Sequence, residues 1–517
     1  MKNWVCFLIG ILVLSGCATT GSSGTRLNEV PTESASEPNS SAKTTSAGMK
    51  IPETPENSDH GYLLEDNRIP RLETCDEWKS FWVGTGPALS FAAASQYPDL
   101  INLEVSTQIF LKNQHLDTNG NGILCFEPEE VLALTALPAG VNDPAKKLPA
   151  EMCKLNGQGA GVGFPRSKEF LPSSGNLRAV MLFVEFPGFE VTEDIAAEAR
   201  SYFDLFRDFM MIQSRGQQDW DLDVPDQVFL IDRDPREYRA NFSDSQFGNP
   251  RFDLYFQDAV TAADKFVDFS SYDVVYVIPP KRIGAAISYG PSFPALAPGT
   301  IVSAEGSIRA GATAGNDSRL GRNSEPWAWL AHETGHLYGL SHPLDEKDNV
   351  DDFGRELSPD NRPELWDLMS WMRSPSPDFW GWSRFWAGWL DDKVYCLSKS
   401  EAATGVDLHL SFADFPTSSG AVELAIIPVT SSTAIAIESR FPKSVPFDGL
   451  SPRLLAYMVD VNQGDREGQI RIIPANAARV EGWLDGSLVK GDSIDVTDLT
   501  ITFVDQTENG ILVRIEQ

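Results

Sequence analysis

Between residues 179 and 186 the chain is apolar at almost every position, a pattern suited to a strand covered on both faces. An acidic start at Glu193 and Asp194 opens a stretch, 195 to 212, whose apolar residues recur at helical spacing. Residues 228 to 231 predict a strand, 254 to 267 a helix, and 274 to 278 another buried strand. Residues 300 to 309 predict an edge strand along which an extended peptide could lie. Farther on, Trp327, Leu330, Ala331 and Leu337 supply the apolar faces of a helix that Ser324 caps and Pro326 opens. Beyond Cys396 the pattern changes to short β-like runs at 422–427, 433–438, 454–460 and 500–504, with turn residues between them. The predicted class is therefore α+β: a twisted mixed sheet with helices against it, followed by an antiparallel β-sandwich.

The N-terminus follows a different logic. Lys2 precedes an apolar run from Trp4 to Leu14, too short to span a bilayer and typical of a signal-peptide core. It ends in Leu14-Ser15-Gly16-Cys17, which resembles the lipobox of bacterial lipoproteins and implies a lipid on Cys17. Ala18 in the next position implies sorting to the outer membrane of a Gram-negative cell. After this signal (1–17), residues 18–65 are rich in Ser, Thr, Gly, Pro and Asn, and read as a disordered linker. The expected location is an exported outer-membrane or cell-surface lipoprotein, tethered to the membrane only by its lipid. A net charge of −31, spread along the chain, disfavours nucleic acid as a partner. A monomer is the expected state.

The chemistry concentrates in His332-Glu333-Thr334-Gly335-His336-Leu337-Tyr338-Gly339-Leu340-Ser341-His342, which holds three of the chain's six histidines. On a helix, His332 and His336 share a face and can aim at one ion. Glu333 is one step around, within reach of a water but badly placed as a ligand. Gly339 lets the chain leave the helix sharply, so that His342 returns as a third ligand. Three protein nitrogens leave a fourth zinc position open, the mark of a catalytic rather than a structural Zn²⁺ site.

Downstream, Leu365-Trp366-Asp367-Leu368-Met369-Ser370-Trp371 is an apolar turn candidate. Together with the long histidine motif it resembles the metzincin metalloproteases, in which a Met-turn, here Met369, lies beneath the metal. The wider context resembles the M6, or immune-inhibitor-A, type of secreted peptidase over roughly 150 to 517. The stretches involved are 178–187, the Trp-Asp-Leu-Met turn, 382–390, 437–440 and 455–460. The resemblance implies a catalytic domain at 150–395 and a β-sandwich at 396–517. Some metzincins carry a Tyr two residues after the Met; here Trp371 stands there, so the donor that steadies the transition state is open.

Ahead of this region, residues 66–140 form a small module. Asp117, Asn119 and Asn121 occupy positions one, three and five of a calcium loop, with Gly122 at the turn. Pro128 takes the place of the usual closing Glu, so Glu127 would have to substitute. The segment resembles the excalibur type of calcium-binding module, although Phe126 follows Cys125 where an acid is usual. A plain Asn-Gly turn fits the same residues, and the sequence leaves Ca²⁺ and turn both open. The acidic run 345–352 likewise reads as a solvated loop or a second calcium site. Of the six cysteines, Cys6 leaves with the signal and Cys17 takes the lipid. The preferred pairing of the rest is Cys75 with Cys125 and Cys153 with Cys396, other connectivities remaining open. A rival places Cys153 on the metal as a latch.

These observations predict a lipid-anchored zinc metalloendopeptidase. Its substrate would be protein or peptide, with zinc on His332, His336 and His342 and Glu333 as general base. The alternative is a catalytically inactive, calcium-dependent adhesion lipoprotein.

Overall fold

The computed structural model describes residues 140–241, 250–319, 326–343, 366–370, 372, 377–412, 421–440, 452–473, 486–507 and 510–517, with short strands at 49–50, 71–74, 80–82, 115–116 and 123–126. Cys17, Cys75, Asp117, Asn119, Asn121, Glu127, Ser324, Trp371 and the acidic run 345–352 lie outside the described residues. Cys125 belongs to Ile123–Phe126, one strand of a small four-stranded sheet.

The class is α+β, with several sheets. A seven-stranded sheet is built around β1 (Gly175–Glu185). β2 (Gln218–Val224), β3 (Phe229–Leu230) and β4 (Val274–Ile278) all pair parallel with β1. On the far side of β4 comes parallel β6 (Gly311–Thr313), then antiparallel β5 (Ser292–Phe293) at the edge. The unbroken apolar run in β1 follows from layers on both faces. Ala179, Met181 and Phe183 share a core with α1 (Ile195–Gln213), whereas Val180, Leu182 and Val184 share another with α2 (Phe252–Ala263). Asp194 caps α1 by accepting from the N–H groups of Ala196 and Ala197.

One expectation fails. Residues 300–309 do not form the sheet edge; Val302–Ser303 and Gly306–Ser307 make a separate two-stranded hairpin. Ile301 and Ile308 are buried in the α2-side core, and Gln257 of α2 bonds the Val302 backbone in both directions at 2.9 Å. Packing against α2 thus outweighs strand propensity there, and the edge beside the histidine helix is β5.

That helix, α3 (Pro326–Leu337), is buried on nearly every side from Ala328 to Gly335. Trp329 meets Tyr202 of α1 edge-on at 5.9 Å, and Thr334 shares a 2.7 Å hydrogen bond with Tyr276 of β4. The helix is therefore wedged between α1 and the sheet, which fixes its rotation. A short helix α4 (Gly381–Trp386) follows in a region dense in aromatics. Trp366, Trp380, Trp382 and Trp389 are fully buried, so these aromatics are core.

The remaining strands form two sheets. One runs β7 (Val394–Cys396), β9 (Leu424–Pro428), β10 (Thr433–Arg440), β11 (Arg453–Asp460) and β12 (Ile470–Ile472). The other runs β8 (Val406–Ser411), β15 (Gly510–Glu516), β14 (Leu499–Gln506) and β13 (Ser493–Val496). Ala425, Ile427, Ile435 and Ile437 pack with the four-stranded sheet, and the alternate residues Leu424, Ile426, Ala434 and Ala436 join the core that holds α3. Period-2 alternation thus glues the first sheet to a layer on each face. Cys153 is bonded to Cys396 with Cα atoms 5.9 Å apart, which leaves neither as a thiolate for a metal. Among the described residues no helix is long and apolar enough to cross a membrane.

Candidate metal centre

His332 and His336 lie one helical turn apart on α3, and Gly339 brings the chain back. Gly339 has φ +91°, and a Cβ there would sit 2.6 Å from the Phe170 ring, so both backbone and space demand glycine. After this turn His342 joins the other two: their ligand nitrogens all lie within 4.8 Å of one another. Burial falls from His332, which is enclosed, to half-buried His336 and His342, so the cluster is least covered at those two rings.

Each ring is oriented by a bond on its outer nitrogen. Nδ1 of His332 lies 2.8 Å from the Leu368 carbonyl, and Nδ1 of His336 lies 2.7 Å from the Leu340 carbonyl. Nδ1 of His342 lies 3.2 Å from Oδ1 of Asp465, which also accepts the His342 backbone N–H at 2.8 Å. Carbonyls and carboxylates only accept, so all three Nδ1 atoms carry the hydrogen. In a neutral ring so protonated, Nε2 carries a bare lone pair. Burial first, then the neighbouring rings, hold His332 well below its ordinary pKa and His336 at about 4, which keeps both neutral.

The Nε2 atoms of His332 and His336 are 3.2 Å apart. That distance has the look of a hydrogen bond, but neither atom has a proton left to donate. Two nitrogens held ~2.0–2.1 Å from one tetrahedral centre stand about 3.3 Å apart. The 3.2 Å spacing is one that a shared cation could occupy.

The turn that carries Leu368 also carries Met369. Asp367 braces it, accepting from Ser370 N–H at 2.7 Å, the Ser370 hydroxyl at 3.0 Å and Trp380 N–H at 3.3 Å. Met369 is buried against α3 so closely that a Cβ on Gly335 would fall 2.3 Å from its sulfur. One turn therefore aims His332 and floors the helix between two ligands.

Compared with known proteins, the chain matches no protein-family model, and no curated protein matches it. The geometry stands by itself.

Glu333 is buried on α3 beside Ser292 of β5, whose hydroxyl and backbone N–H favour its charged form. Burial first, then the nearby Asp317 charge, push its pKa up to about 8. Asp317 is itself raised to about 7 by burial, against four backbone N–H bonds that hold it down. The structure thus joins Glu333 to the edge strand that the misplaced segment 300–309 was expected to supply. Sequence reasoning missed Ser292, Asp317, Asp465 and Arg466. None lies in a motif; Asp465 and Arg466 sit in a polar turn that reads only as a connection between strands.

Proposed function

We propose that the chain is a zinc endopeptidase of the metzincin kind, similar to M6 peptidases, exported and anchored through Cys17. The observation that carries this reading is the set of three Nδ1 bonds that turns the lone pairs of His332, His336 and His342 toward one point. Neutral imidazoles from a helix and its return loop, with their outer nitrogens bonded, are the donor set and support that zinc takes. When bound, zinc supplies a Lewis acid and an acidified water.

This chain's residues do the rest. Glu333, one step from His332, takes a proton from the attacking water and returns it to the leaving amine. Burial, which makes its ionised form costly, makes it a stronger base. Ser292 lies beside the carboxylate on the strand that ends the sheet among the described residues, so an extended peptide would add alongside β5 and pass the base. No serine or cysteine nucleophile is required. The loop 117–129 stays a candidate for Ca²⁺.

Replacing Glu333→Gln keeps the shape of the side chain and removes the base. Zinc content and thermal midpoint should hold while casein hydrolysis falls about 10²–10⁴-fold. Parental turnover in that variant would sink the mechanism. A parent that binds one zinc but cleaves no peptide would favour the adhesion alternative.

A further inference from the structure

α3 ends at Leu337, and a helix end leaves backbone carbonyls that must find donors beyond the helix. The exit turn meets part of this need. The Gly339 N–H donates to the His336 carbonyl at 2.8 Å, and the Leu340 N–H to the Gly335 carbonyl at 3.0 Å. The next two carbonyls are met from far upstream. The Leu171 N–H donates to the Leu337 carbonyl at 3.1 Å, and Nε of Arg166 donates to the Tyr338 carbonyl at 3.1 Å across 172 positions. Nη2 of Arg166 donates to the Leu171 carbonyl as well, so one guanidinium joins the helix exit to the segment that supports it. The same group rests 5.9 Å from the ring centre of Phe170 and 5.7 Å from that of Trp386 on α4. Phe170 is the ring against which Gly339 packs.

The supporting segment, 157–173, is itself fixed at several points. Trp382, Trp386 and Trp389 donate their indole N–H groups to the carbonyls of Val162, Gly163 and Ser173 at 3.0, 2.7 and 2.6 Å. The Gly159 N–H donates to the Val461 carbonyl, just after β11, at 2.7 Å. Farther along, Gly161 holds φ +70°, and a Cβ there would stand 2.8 Å from the Ser341 nitrogen, so the strap lies directly against the return loop. The Ser341 hydroxyl donates to the Ala160 carbonyl at 2.6 Å. The loop that delivers His342 is thus held to one strap at two places, Tyr338 and Ser341. We propose that Arg166 is a positioning residue for the metal centre: by holding the Tyr338 carbonyl it fixes where the chain leaves α3, and so where the His342 ring arrives. A guanidinium suits the post because its planar fork bonds two carbonyls at once, whereas an ammonium is a single point charge. The idea rests on the hydrolase reading above and adds to it a residue that acts only through the backbone.

The test measures the zinc affinity of the full chain by competition with a chelator, and the visible absorption of the same proteins loaded with Co²⁺. Arg166→Met keeps an apolar stem against Phe170 and Trp386 but carries no donor. Its zinc affinity should fall about tenfold or more, and its Co²⁺ band should weaken as the third nitrogen leaves the ion. Arg166→Lys should recover part of the affinity, since its ammonium still offers donors to a carbonyl. Gly161→Ala, which pushes on Ser341 at the other anchor, should weaken zinc in the same direction. Parental zinc affinity and Co²⁺ absorption in Arg166→Met overturn the proposal, even if the metal-free chain melts at a lower temperature. Affinity lost equally in Arg166→Met and Arg166→Lys, with both metal-free chains melting early, overturns it too, because the loss then follows the fold and not the donor. A parent chain that takes up no zinc overturns the hydrolase reading and this proposal with it, and the parent alone tells that case apart.

Discussion

At the scale of single residues, the proposed metal centre depends on which nitrogen of each histidine keeps its hydrogen. Two of the three rings are set by backbone carbonyls, Leu368 and Leu340, that substitution cannot remove. The third depends on a side chain, Asp465, and is the weak point of the cluster. Burial works to raise the Asp465 carboxyl, but hydrogen bonds from the His342 ring and backbone hold it below its ordinary value, so it acts as an ionised acceptor. Asp465→Ala frees His342 to rotate and to exchange tautomers. Zinc affinity should fall about 10–100-fold, with Asp465→Asn between variant and parent because its amide oxygen still accepts. Competition with a chromogenic chelator measures this directly. Equal affinity in all three proteins would show that the loop after Gly339 alone fixes the third ring.

At the scale of elements, legibility followed the range of the forces involved. β1 and α1 were readable because burial on known faces writes a local pattern: an apolar run for a strand covered twice, helical spacing with Asp194 as cap. α3 was readable because candidate metal ligands on one helix face must recur at one-turn spacing. The hairpin at 302–307 was not, since Gln257 and the α2-side core that claim it are distant in sequence. Asp465 was hidden for the same reason, meeting His342 across 123 positions. The turn at 366–370 stands between these cases: its Met was legible, its brace was not. Burial pushes the Asp367 carboxyl from an ordinary 3.8 up to about 7, against bonds from Ser370 and Trp380 that pull it down. A carboxyl raised on folding binds its proton more tightly in the native state. The stability this gives is complete below about pH 4 and is lost as pH rises through 7. Asp367→Asn, neutral throughout, should show no such loss. The difference in urea midpoint between parent and variant should therefore change between pH 4 and 7 and be flat above; a constant difference would exclude Asp367 as its source.

At the scale of the whole molecule, the question is what holds the histidine layer to the paired sheets, since the metal centre draws on both. An apolar seam exists, but buried charges cross it too. Arg440 on β10 lies 3.2 Å from Asp378 and 3.3 Å from Glu438, and donates to the Phe379 carbonyl at 2.8 Å. Asp378 accepts from Gln213 at the end of α1 at 2.6 Å, and Glu438 accepts the N–H of Gly381 at 2.9 Å. Nearby, Arg384 of α4 meets Glu423 at 2.6 Å, and Arg215 meets the same carboxylate. All of these groups but Arg215, which is partly exposed, are enclosed, so their charges depend on their partners and not on water. A buried network of this kind adds little net stability compared with apolar packing, yet breaking one member is expensive because the others stay buried. Arg440→Met keeps the bulk and strands two carboxylates. It should cost about 3–5 kcal/mol, read as a lower urea midpoint. Asp378 and Gln213 tie the same arginine to α1, so the loss should lower the transition of the histidine layer along with that of the sheets. Zinc release and the loss of β-sheet ellipticity should then shift together. A variant whose sheets melt early while zinc stays bound would show that the two layers stand independently and that the Asp465 turn can leave the cluster without unfolding it.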